Sequence, residues 1–241
     1  MAAAAGMRSS LEALDLLANN IANASTAGYK ADRDSNRPYV SADASESWPD
    51  AVQSPQIERH WTDFSQGALS ATGQPFDLAV SGNGFLEVQT PQGARWTRNG
   101  AMRVNAQGKL ETKEGYPLRV KPASGNTYQL NPLAPAEITP DGVIRQGGQN
   151  IGTIEVMSFD QPTALDKQGA SYFRMDMAGI TAKLDTASKI QQGYLEQPNG
   201  GVSDSAVKLV NVMRQFETLQ KAVAIGAEMN KKAVEEVARP A

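Results

Sequence analysis

Phe76-Asp77-Leu78-Ala79-Val80-Ser81-Gly82-Asn83-Gly84-Phe85-Leu86-Glu87-Val88-Gln89 (FDLAVSGNGFLEVQ) sets the structural class of the middle of this chain. Phe76, Leu78 and Val80 alternate with Asp77 and Ala79, a period of two that places one set of side chains on one face of a strand. Ser81-Gly82-Asn83-Gly84 reads as a hairpin whose glycines supply positive φ, and Phe85–Gln89 as the next strand. Thr90-Pro91-Gln92-Gly93 turns the chain again. Asp141-Gly142, between Ile138-Thr139-Pro140 and Val143-Ile144, is a further hairpin signal, and Ile151–Phe159 (IGTIEVMSF) reads as one more strand. Short strands with frequent glycine-rich turns predict an all-β sandwich or barrel.

Outward from this middle the period changes. Met7, Leu11, Leu14, Ala18 and Ile21 recur in alternating steps of four and three, the heptad spacing of a single helical stripe. Gly28 is placed to end this helix in a left-handed turn. At the other end Val202, Ala206, Leu209, Met213 and Phe216 repeat the spacing, and Leu219 and Val223 continue it after a phase shift. Pro198-Asn199-Gly200-Gly201 stops what precedes, and Ser203 reads as the N-cap. The expected fold is therefore mixed α and β: N- and C-terminal helices form a coiled-coil-like element, and a central all-β domain lies between them. The segments expected are an N-terminal assembly helix (1–30), an extended polar connector (31–72), the β-domain (73–160), a return connector (161–201) and a C-terminal assembly helix (202–241).

A few large apolar side chains do not offset the entropy of ordering a whole helix, so the stripe needs a second apolar surface. The expectation is that the N-terminal helix orders only against other subunits, with pairing of the two ends inside one chain as the alternative. Asn19, Asn20 and Asn23 compete for backbone bonds in a helix interior. Their expected role is to set register across a crowded helix contact, or, for Asn23 above all, to cap the helix end. The expected assembly interface is thus Met7, Leu11, Leu14, Ala18, Asn19, Asn20, Ile21 and Asn23, with Leu209, Met213, Phe216, Leu219 and Val223.

Composition excludes several classes of function. Lys plus Arg is 23 against 26 Asp plus Glu, with no basic stripe, which argues against nucleic acid as a partner. Without cysteine there is no disulfide or thiolate chemistry. No apolar run reaches a membrane span, and the opening residues lack the pattern of a cleaved signal peptide. His60, the only histidine, has no Gly-x-Ser-x-Gly elbow to serve. Glu111 and Glu114 form a carboxylate pair such as any acidic protein offers. Ser81–Gly84 lacks the Lys-Ser/Thr of a phosphate loop. Trp48, Trp61 and Trp96 suit a core or interface better than a sugar platform. No catalytic, cofactor or metal site is expected.

Leu17–Lys30 (LANNIANASTAGYK) closely resembles the N-terminal signature of bacterial flagellar rod and hook subunits. Ser81-Gly82-Asn83-Gly84-Phe85 looks like that family's Gly-x-Gly-Phe turn. Trp96-Thr97-Arg98-Asn99-Gly100, followed by Gly108, Leu110 and Gly115, looks like its aromatic-Thr-Arg-x-Gly segment. Gly193-Tyr194-Leu195-Glu196 and Arg214-Gln215-Phe216-Glu217 fit its C-terminal pattern, although Gln197-Pro198-Asn199-Gly200-Gly201-Val202 stands where many members have Ser-Asn-Val. The resemblance implies a structural subunit of the basal-body rod, which crosses the periplasm, and export through the flagellar export apparatus without a cleaved signal. It also implies partners among other rod subunits and copies of the chain itself. The departure and the chain length favour a proximal rod subunit. The alternatives are the distal rod or another axial subunit, or a secreted β-domain that binds or hydrolyses carbohydrate or cell wall.

Overall fold

The computed structural model describes residues 2–39, 54–175 and 181–237, and the chain divides into two units. The helical unit comprises Met1–Ala22, Asp32–Trp61 and Gly201–Ala241; the β unit comprises Asn23–Ala31 and Thr62–Gly200. Helix α1 is Ala2–Ala22 and helix α2 is Val202–Val237. The latter starts one residue before the expected cap: Ser203 lies inside it, and the carbonyl of Gly201 accepts the Ser205 amide at 3.0 Å. Asp204 in the first turn complements the positive end of the helix dipole.

The two helices pack on each other within one chain. A Cβ added to Gly6 would lie 3.2 Å from Leu219, which marks their closest approach at that point. The covered side of α1 runs from Gly6 to Asn20, and that of α2 from Ser205 to Leu219. Equal lengths meeting with Gly6 at Leu219 make the pair antiparallel. The apolar surface that α1 requires is supplied by the same chain, which corrects the expectation that other subunits must supply it.

The helical unit also holds a two-stranded sheet, β1 (Asp32–Tyr39) with β2 (Ser54–Thr62). Both lie in the stretch expected to be a bare connector; strand pairing satisfies the backbone of a polar segment that has little apolar surface to bury.

In the β unit a six-stranded antiparallel sheet has the order β14-β15-β6-β5-β13-β16. These strands are β5 (Phe85–Thr90), β6 (Gly93–Thr97), β13 (Val156–Ser158), β14 (Leu165–Gln168), β15 (Tyr172–Met175) and β16 (Lys183–Leu184). A four-stranded sheet joins β9 (Val120–Pro122), β10 (Ala136–Ile138), β11 (Val143–Gln146) and β12 (Gln149–Ile154). Two-stranded pairs link β3 (Leu69–Ala71) to β18 (Tyr194–Glu196), β4 (Leu78–Ser81) to β17 (Lys189–Gln192), and β7 (Arg103–Val104) to β8 (Leu110–Glu111). The expected return connector therefore supplies five strands of the β unit, because its polar residues still complete hydrogen-bond ladders.

The Thr90–Gly93 and Asp141-Gly142 turns join paired strands, with Thr90 opposite Gly93 and Ile138 opposite Ile144. Ser81–Gly84 does not. Its two flanking strands pair elsewhere, β4 with β17 and β5 with β6 and β13, so the turn carries the chain from one sheet to another. Likewise Ile151–Phe159 is two strands, β12 and β13, in different sheets, parted at Glu155. One buried cluster gathers Leu78, Val80, Leu86, Leu110, Ile144 and Ile190 among others; a second is aromatic, with Phe85, Trp96, Phe159 and Phe173 around Leu165. Phe85 stands edge-on to Phe64, Phe159 and Phe173 at centroid distances of 5.7–5.8 Å, a geometry that favours aromatic pairs.

Candidate functional site: two helix stripes and a buried ion cluster

The buried stripe of α1 is Gly6, Ser10, Ala13, Leu17 and Asn20. It has the same four-three spacing as the expected stripe, one residue earlier along the chain. Small residues at Gly6, Ser10 and Ala13 let the helix axes approach, and Ser10 Oγ is occupied by donating to the Gly6 carbonyl at 2.8 Å. The larger stripe lies on the neighbouring face. Met7, Leu14 and Ile21 are half-buried, Ala18 is exposed, and Leu11 is 49% exposed. The sequence carried both stripes, and side-chain size drew attention to the one that is only partly covered.

On α2 the covered side is Ser205, Leu209, Val212, Phe216 and Leu219. Leu209, Phe216 and Leu219 are half-buried as part of it, whereas Met213 and Val223 are exposed. Beyond Leu219, Ile225, Met229 and Val234 are each more than half exposed.

The three asparagines take different places. Asn19 is exposed on α1, and Asn20 is buried. Asn20 pairs with the backbone of Asp32 in both directions: its amide nitrogen donates to the Asp32 carbonyl at 2.8 Å, and its oxygen accepts the Asp32 amide at 3.0 Å. It fixes the first residue of β1 against the helix end. Asn23 lies past the helix, where its carbonyl accepts the Thr26 amide at 3.0 Å.

The β unit holds a charged cluster that the sequence reading did not assemble, although the resemblance quoted its members. Glu196 is fully buried and accepts three donors: Lys30 Nζ at 2.5 Å, the Gly67 amide at 2.9 Å and Arg98 Nη1 at 3.3 Å. Lys30 also donates to the Ser65 carbonyl at 2.7 Å. Arg98 donates to the carbonyls of Val80 at 3.2 Å and Gly82 at 2.6 Å, and its guanidinium lies 4.9 Å from the centre of the Phe85 ring. Burial pushes the Lys30 ammonium and the Arg98 guanidinium below their ordinary pKa values, and Glu196 works against it in both cases. Gly28 has φ of 67°, and a Cβ there would lie 2.2 Å from the Arg98 carbonyl carbon. Its positive φ thus serves close approach to Arg98, several residues beyond the helix end it was expected to cap.

The enzyme candidates come to little. His60 is exposed and Trp61 is 41% exposed, Trp96 is in the aromatic cluster, and Trp48 lies outside the described residues. Glu111 pairs with Arg103 at 2.8 Å, while Glu114 accepts the Tyr172 hydroxyl at 2.5 Å. The amides of Gly82 and Gly84 are spent on Gln66 Oε1 and Ser188 Oγ, so these two donors are not free to cradle a phosphate. Among the described residues no group of His, Asp and Glu could hold a metal ion, and no helix is long and apolar enough to cross a membrane.

Two family models match the chain: "Flagella basal body rod protein" over residues 2–30 and "Flagellar hook protein FlgE/F/G D1 domain" over residues 79–153. The first spans α1 and the segment ending at Lys30; the second covers much of the β unit. The flagellar basal-body rod protein FlgF of Caulobacter vibrioides is 32% identical over 232 residues, 94% of this chain and 92% of its own length. FlgF of Mesorhizobium japonicum is 32% identical over 214 residues, 85% of this chain and 83% of its own. The rod protein FlgG of Bacillus subtilis is 27% identical over 247 residues, 93% of each chain.

Proposed function

As a member of the flagellar basal-body rod protein family, the chain is a structural rod subunit, and we propose that it polymerises in the proximal rod through the outward apolar residues of its two helices. The proximal position is supported by the 32% identity to two FlgF proteins, against 27% to FlgG of Bacillus subtilis. The observation that carries the polymerisation reading is the second stripe of α1: Met7, Leu11, Leu14, Ala18 and Ile21 keep heptad spacing on a face that is only partly covered, with Leu11 and Ala18 exposed. An apolar face of that period on a paired helix is suited to a further helix. A tubular rod needs different faces toward different neighbours. The partly covered stripe of α1, with Leu11 at its centre, and the exposed Met213, Val223 and Ile225 of α2 supply such faces.

The occupants are other rod subunits and copies of this chain, and the terminal segments 1–30 and 202–241 carry assembly. The activity is mechanical rather than catalytic, in an axial shaft that crosses the periplasm. Delivery is by the flagellar export apparatus without a cleaved signal. Leu11→Asp combined with Met213→Asp tests the reading in a strain lacking the native gene. A folded monomer, non-motile cells and basal bodies without a completed rod are expected. Motile cells with intact rods would refute it.

A further inference from the structure

Between the two units the chain crosses after Ala22, Ala31, Trp61 and Gly200, and the β-unit segments beside the last three meet at one place. Asn199 stitches them: its oxygen accepts the Ala31 amide at 2.8 Å, and its nitrogen donates to the Asp63 carbonyl at 2.6 Å. The Asp63 amide in turn donates to the Ala31 carbonyl at 2.9 Å. Directly along the same three segments lies the ion cluster, in which Lys30, Gly67 and Glu196 each come from a different one. The Glu196 backbone carbonyl also accepts the Gly28 amide at 2.7 Å.

We propose that Glu196 and Asn199 form a neck lock, which clamps these three segments to one another and to Arg98 at the end of β6. Glu196 is the positioning residue. Glu196 is the one carboxylate that bonds both buried cations, so the segments cannot separate without leaving Lys30 or Arg98 without its ion partner. Separation would also strand the Gly67 amide. The cluster is wholly shielded, with Lys30 and Glu196 at 0% and Arg98 at 1% side-chain exposure, so water does not compete for its bonds. On the rod reading above, such a neck keeps its strands together when the subunit carries torque; the lock itself is a property of the β unit alone.

Residue-resolved amide exchange on the full chain tests it. In Glu196→Gln the amides of Ala31, Asp63 and Gly67 should exchange faster by about tenfold or more, while those of Leu118 and Leu130, bonded inside the β unit, keep their rates. The double variant Lys30→Met/Glu196→Gln keeps the cluster's net charge at its native value. It should regain thermal stability over Glu196→Gln and still show a fast-exchanging neck. Unchanged neck amides in either variant would overturn the proposal. So would equal acceleration of neck and interior amides, which would make Glu196 a support of the whole unit. Neither outcome touches the rod reading, which stands or falls on basal-body assembly.

Discussion

In the β unit Phe85, Leu86, Leu110, Ile144 and Phe173 are wholly shielded from water, whereas in the helical unit Leu11 is 49%, Met213 48% and Val234 68% exposed. Both units contain enough apolar residues to pack. The difference lies in dimension: sheets enclose two clusters from several sides, while two antiparallel helices can cover only one stripe on each other. On α1 most of that stripe is small, Gly6, Ser10 and Ala13, while Leu11 of α1 and Met213 of α2 are left outside. A unit built this way is complete as a scaffold and incomplete as a surface, which is what a polymerising subunit needs.

Substitutions should separate the two units cleanly, ranked here by their effect on the stability of the monomer. Phe85→Ala removes a fully buried ring from the aromatic cluster and should cost about 3–5 kcal/mol. Urea unfolding followed by near-ultraviolet circular dichroism reads this loss. Gly28→Ala forces a side chain onto a left-handed residue and into the Arg98 backbone; a loss above about 1 kcal/mol is expected from the same measurement. In contrast Leu11→Ser, on the partly covered stripe, should change monomer stability by no more than about 0.5 kcal/mol while sharply lowering incorporation into basal bodies. A large loss of monomer stability in Leu11→Ser would erase the contrast between the units.

The smallest effect concerns acid. Burial acts to raise the Asp185 carboxyl, but hydrogen bonds from Ser188 Oγ at 2.5 Å and from the amides of Ala187 and Ser188 outweigh it and hold the group below its ordinary value of 3.8. A carboxyl depressed in the folded state contributes stability that is complete above its unfolded value and lost as pH falls through the folded one. Asp185→Asn should therefore flatten the acid limb of thermal stability below about pH 4, with little change in the shape of the curve at neutral pH.

Much of this was legible in local patterns. The helix–β–helix order, the Thr90–Gly93 and Asp141-Gly142 hairpins, and the large stripe of α1 all follow from period and turn chemistry, which act over a few residues. The strand partners were not legible. Ser81–Gly84 has the composition of a hairpin, yet β4 and β5 belong to different sheets, because pairing depends on which edges are free in the folded unit. Polar segments such as Lys189–Gln192 show no apolar alternation and still complete a ladder with β4.

For the candidate site the same boundary holds. Heptad spacing by itself determined that the ends are helices with an apolar face, and composition alone removed thiolate chemistry and any basic stripe. Only the tertiary structure decided which of two adjacent stripes α1 turns toward α2, since close packing selects for small side chains while hydrophobicity ranks large ones first. It also brought Lys30 to Glu196 across 166 positions of sequence. No local rule could have joined them, because a buried ion cluster is defined by what the fold excludes, which is water.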